Sequence, residues 1–202
     1  MDIKTPLLIV FEGIDGSGKT TISKMLYEYL KNNNLRVSWF REPSDSKWGK
    51  EIRELSKIYD EIPIDKELDL FTKDRKWDVK NNIVPAFKRN EIVILDRYYF
   101  SSACYQGAKG LEIEMILKIN EKFAPPPNAL FIIDTEIETA LDRIKRDRDS
   151  TAILFEKKDY LKKVRKNYLN LKEKNTFIIN GNSSIKDVFS ETLKHFNELF
   201  LK

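Results

Sequence analysis

The residues best suited to chemistry lie near the N-terminus, in a glycine-rich segment that closes on a lysine and two threonines. Its spacing is Gly-x-x-x-x-Gly-Lys-Thr. The functional positions of this segment are Gly13, Asp15, Gly16, Ser17, Gly18, Lys19, Thr20 and Thr21. The apolar run 7–11 predicts a buried strand before the segment, and the apolar spacing over 22–30 predicts a helix after it. A loop of this spacing between a strand and a helix is typical of phosphate binding.

Each part of this loop has a chemical reason to be there. Glycines permit backbone conformations in which successive N–H groups point at an anion, and the positive end of the next helix points at the same place. Lys19 supplies a positive charge for the β- and γ-phosphates of a nucleotide, and Thr20 supplies a hydroxyl ligand for Mg²⁺. The sequence therefore predicts a loop that binds ATP and Mg²⁺. A glycine-rich turn without a ligand is the weaker interpretation.

A second group of polar residues follows two other predicted strands. Asp96 and Arg97 come directly after the β-branched run 92–95, and Arg41, Glu42 and Pro43 follow the run 35–40. In a parallel sheet the ligand lies beyond the carboxyl ends of the strands, so these residues are expected near the glycine-rich loop. There Asp96 could reach Mg²⁺, and the planar guanidinium of Arg97 could bind phosphate oxygens. A structural ion pair at the strand end is the alternative for Asp96 and Arg97.

The elements that must position these residues alternate between strands and helices. Strands are predicted at 7–11, 35–40, 92–96, 129–134 and 176–180. Helices are predicted after 19, around 52–59, over 65–88 with a kink or end near Pro85, around 113–119, after 135, around 160–171 and over 185–200. The polar and aromatic segment that runs from Arg97 to Gly110 is interpreted as a loop. This alternation predicts an α/β fold in which a five-stranded parallel sheet has helices on both faces, and residues 1–202 are expected to form one domain.

Composition excludes several classes of function. A net charge of +4 in a chain with 34% charged residues is too small to argue for binding of DNA or RNA. No apolar stretch approaches the roughly 20 residues needed to span a bilayer, and the N-terminal residues do not have the pattern of a signal peptide. The single cysteine, Cys104, excludes an internal disulfide and fits a reducing compartment. We therefore expect a cytoplasmic protein that binds neither nucleic acid nor membranes.

The motifs taken together resemble the thymidylate kinase family, and the resemblance covers almost the whole chain. The matching residues are Glu12-Gly13-x-Asp15-Gly16-x-Gly18-Lys19-Thr20-Thr21, Arg41-Glu42-Pro43, Gly49-x-x-Ile52-Arg53, Phe71-x-x-x-Arg75, Asp96-Arg97-Tyr98 and Ser101-Ser102-x-x-Tyr105-Gln106-Gly107. The resemblance implies a three-layer P-loop NTPase fold and transfer of the γ-phosphoryl group of ATP to dTMP, in the biosynthesis of dTTP. It also implies Mg²⁺ as the cofactor, with Thr20 and Asp96 at the metal, and a homodimer.

The same resemblance implies roles for the residues around the nucleobase. Phe71 would stack on the thymine ring, and Arg75 would donate to the base close to the acceptor phosphate. Ser102 and Gln106 would complete the recognition of the pyrimidine edge. Tyr105 would pack where a ribose 2′-hydroxyl would sit, which favours deoxyribose. Without the resemblance, Phe71 would be interpreted as a core residue. Ser102, Tyr105 and Gln106 would be interpreted as ordinary loop residues.

Further roles are implied around the acceptor phosphate. Arg53 and Arg97 would clamp that phosphate, and Asp15 would approach the sugar 3′-hydroxyl or Mg²⁺. Glu42 and Pro43 would shape the acceptor side. Taken alone, Arg53 and Arg75 would be interpreted as exposed charges on helices.

A mobile arginine is implied in a lid over ATP, in the region 143–156. Arg143, Arg146 and Arg148 are available there, and the resemblance favours Arg146 or Arg148. The chain departs from the family at Leu154, where an arginine often precedes Phe-Glu. We expect this departure to affect the rate of turnover more than the type of reaction.

Other functions stay open at this point. A deoxynucleoside kinase also has a phosphate loop and an Asp-Arg pair, and Glu42 lies roughly where such an enzyme places its base. A kinase of another pyrimidine monophosphate is a further alternative, as is a related chain with weakened catalysis. A GTP-dependent binding switch is disfavoured, because the residues after the strand 129–133 are Asp-Thr-Glu-Ile and not Asn-Lys-x-Asp.

Overall fold

A computed structural model describes residues 3–58, 62–147 and 154–201, without the side chains of 147 and 154–157. Its centre is a parallel sheet with the strand order β2-β3-β1-β4-β5. The strands are β1 (Leu7–Glu12), β2 (Val37–Arg41), β3 (Ile92–Asp96), β4 (Ala129–Asp134) and β5 (Thr176–Asn180). The five predicted strands and their parallel arrangement are thus confirmed.

Helices connect these strands. They are α1 (Lys19–Asn32), α2 (Lys47–Ile58), α3 (Ile64–Asp78), α4 (Val84–Lys88), α5 (Tyr99–Ala108), α6 (Ile113–Glu121), α7 (Ile137–Asp147), α8 (Leu154–Leu169) and α9 (Ile185–Phe200). A π-helical segment, Val79–Ile83, joins α3 to α4. The described helices include none that is long and apolar enough to cross a membrane.

The central strand shows how the sheet is covered. All six residues of β1 are buried. Leu8 and Val10 belong to one buried apolar cluster, whereas Ile9 and Phe11 belong to another. Because successive side chains of a strand point to opposite faces, the two clusters lie on the two sides of the sheet. The predicted three-layer arrangement is therefore confirmed.

The helix predicted over 65–88 is interrupted before Pro85. α3 ends at Asp78, and the chain passes through the π-helical segment into α4, in which Pro85 occupies the first turn. Proline has no N–H to donate to the preceding turn, and its ring crowds the carbonyl four residues earlier. The wider π turn is a local solution to that conflict.

The segment after β3 differs from the prediction. The loop expected up to Gly110 is wrong, since residues 99–108 form α5. Seven of the ten residues of this helix are buried, which removes the one-sided apolar periodicity that identifies a surface helix. Ser102, Tyr105 and Gln106 therefore project from a rigid helix, at spacings of three and four that place them on one face.

Candidate active site

The glycine-rich loop connects the central strand β1 to α1. Gly13 and Gly16 have φ angles of 144° and 77°, which favour glycine. A Cβ atom on Gly13 would lie 2.6 Å from the carbonyl oxygen of Ile133, and one on Gly16 would collide with the carbonyl of Ala140. The loop is thus packed against β4 and α7. Helix α1 begins at Lys19, so its first N–H groups and its positive end face the space above the loop.

Lys19 is buried within this loop. Its Nζ donates a hydrogen bond of 3.2 Å to the carbonyl oxygen of Ile14. Burial, together with the nearby charge of Arg97, lowers the pKa of Lys19 to about 8, although Asp15 and Asp96 act in the opposite direction. The lysine thus lacks a close anionic partner strong enough to restore its ordinary pKa. An oligophosphate bound to the loop would supply one.

Thr20 and Asp96 meet at the start of α1. The Thr20 hydroxyl donates a hydrogen bond of 2.6 Å to Asp96 Oδ2, and Arg41 Nε lies 3.5 Å from the same oxygen. The other oxygen, Oδ1, is buried and has no hydrogen-bond partner among the described residues. Hydroxyl and carboxylate oxygens are ligands that Mg²⁺ prefers. The pair predicted from the sequence could therefore hold this ion.

Arg97 lies against the glycine-rich loop. Its Nη2 donates a hydrogen bond of 2.6 Å to Asp15 Oδ1, and its Nη1 donates one of 2.9 Å to the hydroxyl of Ser101. The guanidinium also lies 5.2 Å from the centre of the Tyr105 ring, whose hydroxyl accepts a hydrogen bond from the Asp15 backbone. The structure thus brings Asp15, Arg97 and Tyr105 together.

Glu12, the last residue of β1, is a buried acid to which the sequence assigned no role. Its Oε1 accepts hydrogen bonds from the backbone N–H groups of Tyr98 and Ser101. Its Oε2 accepts hydrogen bonds from the hydroxyls of Ser101 and Tyr168. Burial raises the pKa of Glu12, while Arg97 and the four donors favour its charged form. The sequence signal that could have identified Glu12 is its position directly after the apolar run 7–11, where an acid is unusual.

Arg75 is buried on α3, where it is paired with Glu42. Its guanidinium donates to both oxygens of that carboxylate, at distances down to 2.6 Å. It also donates to Asn120 Oδ1 at 2.8 Å and to the Ser102 hydroxyl at 3.2 Å. Burial raises the pKa of Glu42, and the charge of Arg75 opposes that rise. Three predicted residues, Glu42, Arg75 and Ser102, are thus in direct contact.

The remaining predicted acceptor residues lie on the helices α2, α3 and α5. Phe71 is half-buried on α3, one turn before Arg75. Gln106 is buried on α5, and its Oε1 has no partner among the described residues. Arg53 donates a hydrogen bond of 2.8 Å to the carbonyl oxygen of Pro43 and is 39% exposed.

The arginines of the predicted lid differ in position. Arg143 donates hydrogen bonds to the carbonyl oxygens of Ser17 and Gly181, at 3.2 and 2.9 Å, so it is already joined to the loop. Arg146 lines a cavity of about 500 Å³ above the same loop. Arg148 lies outside the described residues, as do residues 149–153 of the predicted lid.

Several buried polar residues escaped sequence reasoning because their partners are distant along the chain. Asp74 accepts hydrogen bonds from the hydroxyls of Ser44 and Ser46, both at 2.6 Å, and so fixes the loop after Pro43. Asn120 holds Arg75 from α6. The only sequence signal for these contacts was that Asp74 and Asn120 occupy helix positions where an apolar residue would be expected.

Fold and site together define a class. A phosphate loop follows the central strand of a parallel sheet, and the neighbouring strand β3 ends on Asp96, directly before Arg97. This is the arrangement of a P-loop phosphotransferase that acts on nucleotides.

Comparison with known proteins gives the particular family. A profile described as thymidylate kinase matches residues 11–192. The chain is 40% identical to a probable thymidylate kinase of Archaeoglobus fulgidus, over 93% of each chain. It is 38% identical to a thymidylate kinase of Brachyspira hyodysenteriae, over 95% of this chain and 93% of the relative. A crystal structure of thymidylate kinase from Ehrlichia chaffeensis superposes with a TM-score of 0.75 at 29% identity, over 95% of this chain and 98% of that one.

The chain belongs to the thymidylate kinase family. The predicted family, the P-loop fold and the class of ATP-dependent phosphotransferase are thereby confirmed.

Proposed function

We propose that this chain transfers the γ-phosphoryl group of ATP to dTMP between the glycine-rich loop and Arg97. The observation that carries this assignment is the 2.6 Å contact between Arg97 Nη2 and Asp15 Oδ1. It places an arginine suited to the acceptor phosphate directly beside the loop suited to the donor phosphates. In-line transfer needs this proximity, because the attacking and leaving oxygens must lie on opposite sides of one phosphorus atom.

The donor side is the cavity above the loop. Backbone N–H groups of 13–21 surround the phosphates of ATP, and the Lys19 ammonium neutralises charge on the transferred group. The adenosine portion extends along the cavity wall that Arg143 and Gly181 form with Ser183. Arg146, on the same wall, is the lid arginine that can approach the γ-phosphate. The role predicted for Arg148 stays a prediction.

Mg²⁺ fits the pair formed by Thr20 and Asp96. The ion would be held by the Thr20 hydroxyl and by Asp96, either through Oδ1, which has no hydrogen-bond partner among the described residues, or through a water molecule. No group of three or more acidic, histidine or cysteine side chains suited to a metal occurs in the described part of the chain. A site with few protein ligands suits Mg²⁺, which retains water and phosphate oxygens in its coordination shell. When bound, the ion supplies charge neutralisation at the β- and γ-phosphates.

The acceptor side lies between α3 and α5. Phe71 stacks on the thymine, while Ser102 and Gln106 face its polar edge. Gln106 Oε1, which has no partner within the described ranges, is an acceptor for the thymine N3–H. Arg75 shapes this side together with Glu42 and Pro43, and Arg53 closes it towards the phosphate. Tyr105, fixed by Asp15 and Arg97, occupies the place of a ribose 2′-hydroxyl.

The chemistry requires no general base. The second pKa of a phosphate monoester is about 6, so dTMP is largely a dianion near neutral pH. A nucleoside hydroxyl would need a base, and Glu42 is engaged by three hydrogen bonds from Arg75. This pair therefore favours a monophosphate acceptor over a nucleoside.

The cellular location and the assembly of the enzyme are proposed from its membership of the family. The enzyme acts in the cytoplasm as a single domain within a homodimer. Its size in solution and its location in the cell are direct tests of these assignments.

Substitution of the two charged residues tests the catalytic roles. Lys19→Ala and Arg97→Ala should each lower turnover on dTMP by on the order of a hundredfold or more. Lys122→Ala, a change of an exposed surface lysine, is the control and should leave turnover unchanged. Near-normal turnover of both site variants would overturn the assignment.

A further inference from the structure

The α8 helix reaches the acceptor side through its last turn. Tyr168 lies one residue before the end of this helix and is buried. Its hydroxyl is 2.9 Å from Glu12 Oε2 and 3.0 Å from the Ser101 hydroxyl. Its ring packs edge-on against Tyr105 with centroids 6.4 Å apart. A residue from α8, which begins at the end of the predicted lid region, is therefore in contact with three residues around Arg97.

The direction of the hydrogen bonds follows from the number of protons. Ser101 has one hydroxyl proton, and its shortest contact, 2.6 Å, is to Glu12 Oε2. Its lone pairs are then free to accept the 2.9 Å hydrogen bond from Arg97 Nη1. Tyr168 donates its own proton to the same carboxylate oxygen. The result is a chain of polar contacts from Arg97 through Ser101 to Glu12, with Tyr168 as the second hydroxyl that fixes the carboxylate.

These polar contacts fix one end of the Arg97 guanidinium. Nη2 faces Asp15 and Tyr105, which are themselves at the site, whereas Nη1 faces Ser101, whose position depends on buried groups outside the site. Removal of the Ser101 hydroxyl takes away the acceptor of Nη1, whereas removal of the Tyr168 hydroxyl takes away a donor that fixes Glu12 and, through Glu12, Ser101. In either variant the Nη1 end has more freedom. The guanidinium must present a fixed fork to bind a phosphate bidentately, so this freedom weakens phosphate binding.

We propose that Tyr168 and Ser101 are positioning residues for Arg97, which act through the buried carboxylate of Glu12 and so connect α8 to the acceptor phosphate. The proposal deepens the proposed function and rests on Arg97 as a ligand of that phosphate. Its distinguishing consequence is selectivity. Loss of either hydroxyl should weaken the binding of dTMP but not that of thymidine, which lacks the phosphate.

Equilibrium binding by calorimetry, without ATP, tests this consequence in the full-length chain. Tyr168→Phe and Ser101→Ala should each weaken dTMP binding about tenfold, the change expected from a lost hydrogen bond to a charged group. Thymidine binding should change by less than about twofold. Thr192→Val is the control, because it removes another buried hydroxyl, which donates to the carbonyl of Val188 within α9, and should leave both affinities unchanged.

A double-mutant cycle separates positioning from a purely structural role. In an Arg97→Ala background, Tyr168→Phe should cause no further loss of dTMP affinity, because the group it positions is gone. Equal weakening of dTMP and thymidine, or full additivity in the cycle, would overturn the proposal while leaving Arg97 as a phosphate ligand. If Arg97→Ala itself leaves dTMP binding unchanged, the role of Arg97 in the proposed function is wrong, and the positioning proposal is overturned with it.

Thermal unfolding of each variant identifies any loss of binding that is caused by unfolding. If Ser101→Ala does not fold, Tyr168→Phe alone still tests the proposal.

Discussion

The carboxylate of Glu42 receives three hydrogen bonds from the guanidinium of Arg75, and both side chains are at most 2% exposed. The pair joins the end of β2 to α3. Two charges at this depth are stable only as partners, since each alone would remain buried without compensation. The same pairing removes Glu42 from consideration as a general base.

Glu42→Gln should therefore lower the free energy of unfolding by about 3 kcal/mol or more, because Arg75 then stays buried beside a neutral group. Urea denaturation followed by circular dichroism measures this change. The double variant Glu42→Gln/Arg75→Met should recover part of the loss, since it removes both charges. A loss below about 1 kcal/mol, the range of an exposed ion pair, would contradict the account.

ATP binding should depend on the protonation of Lys19. In the free protein its pKa is lowered to about 8, chiefly by burial, and phosphates bound beside it favour the charged form. Below this pH the lysine is charged before and after binding, so no proton is exchanged. Above it, binding must take up a proton, and the affinity for ATP should fall as the pH rises.

Calorimetry in two buffers of different ionisation enthalpy measures that proton uptake. We expect close to one proton taken up at about pH 9 and little at about pH 7. In Lys19→Arg the guanidinium stays charged throughout this range, so the uptake should vanish. Uptake that is equal at both pH values would assign the effect to another group.

Tyr105 should control the choice between deoxyribose and ribose. Its ring is held by Arg97, Tyr160 and Tyr168, and its hydroxyl accepts a hydrogen bond from the Asp15 backbone. Tyr105→Ala opens space for a 2′-hydroxyl and should lower the preference for dTMP over its ribonucleotide about tenfold. Tyr105→Phe keeps the ring and should preserve the ratio of kcat/KM values. An unchanged ratio in Tyr105→Ala would show that the discrimination lies elsewhere.

The requirement for Mg²⁺ should depend on Thr20 and Asp96. Asp96→Asn halves the carboxylate's ligand capacity and removes its charge, so half-maximal activity should need on the order of ten times more Mg²⁺. Thr20→Ala should act in the same direction, whereas Thr20→Ser retains the hydroxyl and should resemble the unmodified protein. A titration of activity with Mg²⁺ measures the shift. An identical requirement in Asp96→Asn would exclude this residue from the metal site.

Elements with local signals could be predicted from the sequence. The phosphate loop and the strands carry short patterns that depend little on the rest of the chain, and each agrees with the structure. Helix α5 could not be predicted from the sequence, because a helix that is buried on most sides shows no apolar periodicity. Its status as a helix matters for function, since it fixes the spacing of Ser102, Tyr105 and Gln106.

Contacts between distant residues could not be predicted. Glu12 and Tyr168 are 156 residues apart in the chain, and nothing local to either indicates the other. Arg75, taken alone, was expected to be exposed. It is buried because Glu42, Ser102 and Asn120, from three other parts of the chain, converge on its guanidinium.

The most direct test of the account is phosphoryl transfer from Mg-ATP to a panel of acceptors. The panel contains dTMP, dUMP, dCMP, dGMP, AMP, UMP and free thymidine, and product formation is followed by chromatography. The account predicts a strong preference for dTMP and negligible transfer to thymidine. Transfer to thymidine in preference to dTMP would contradict it, because that result would require a general base at the position where Glu42 is held by Arg75.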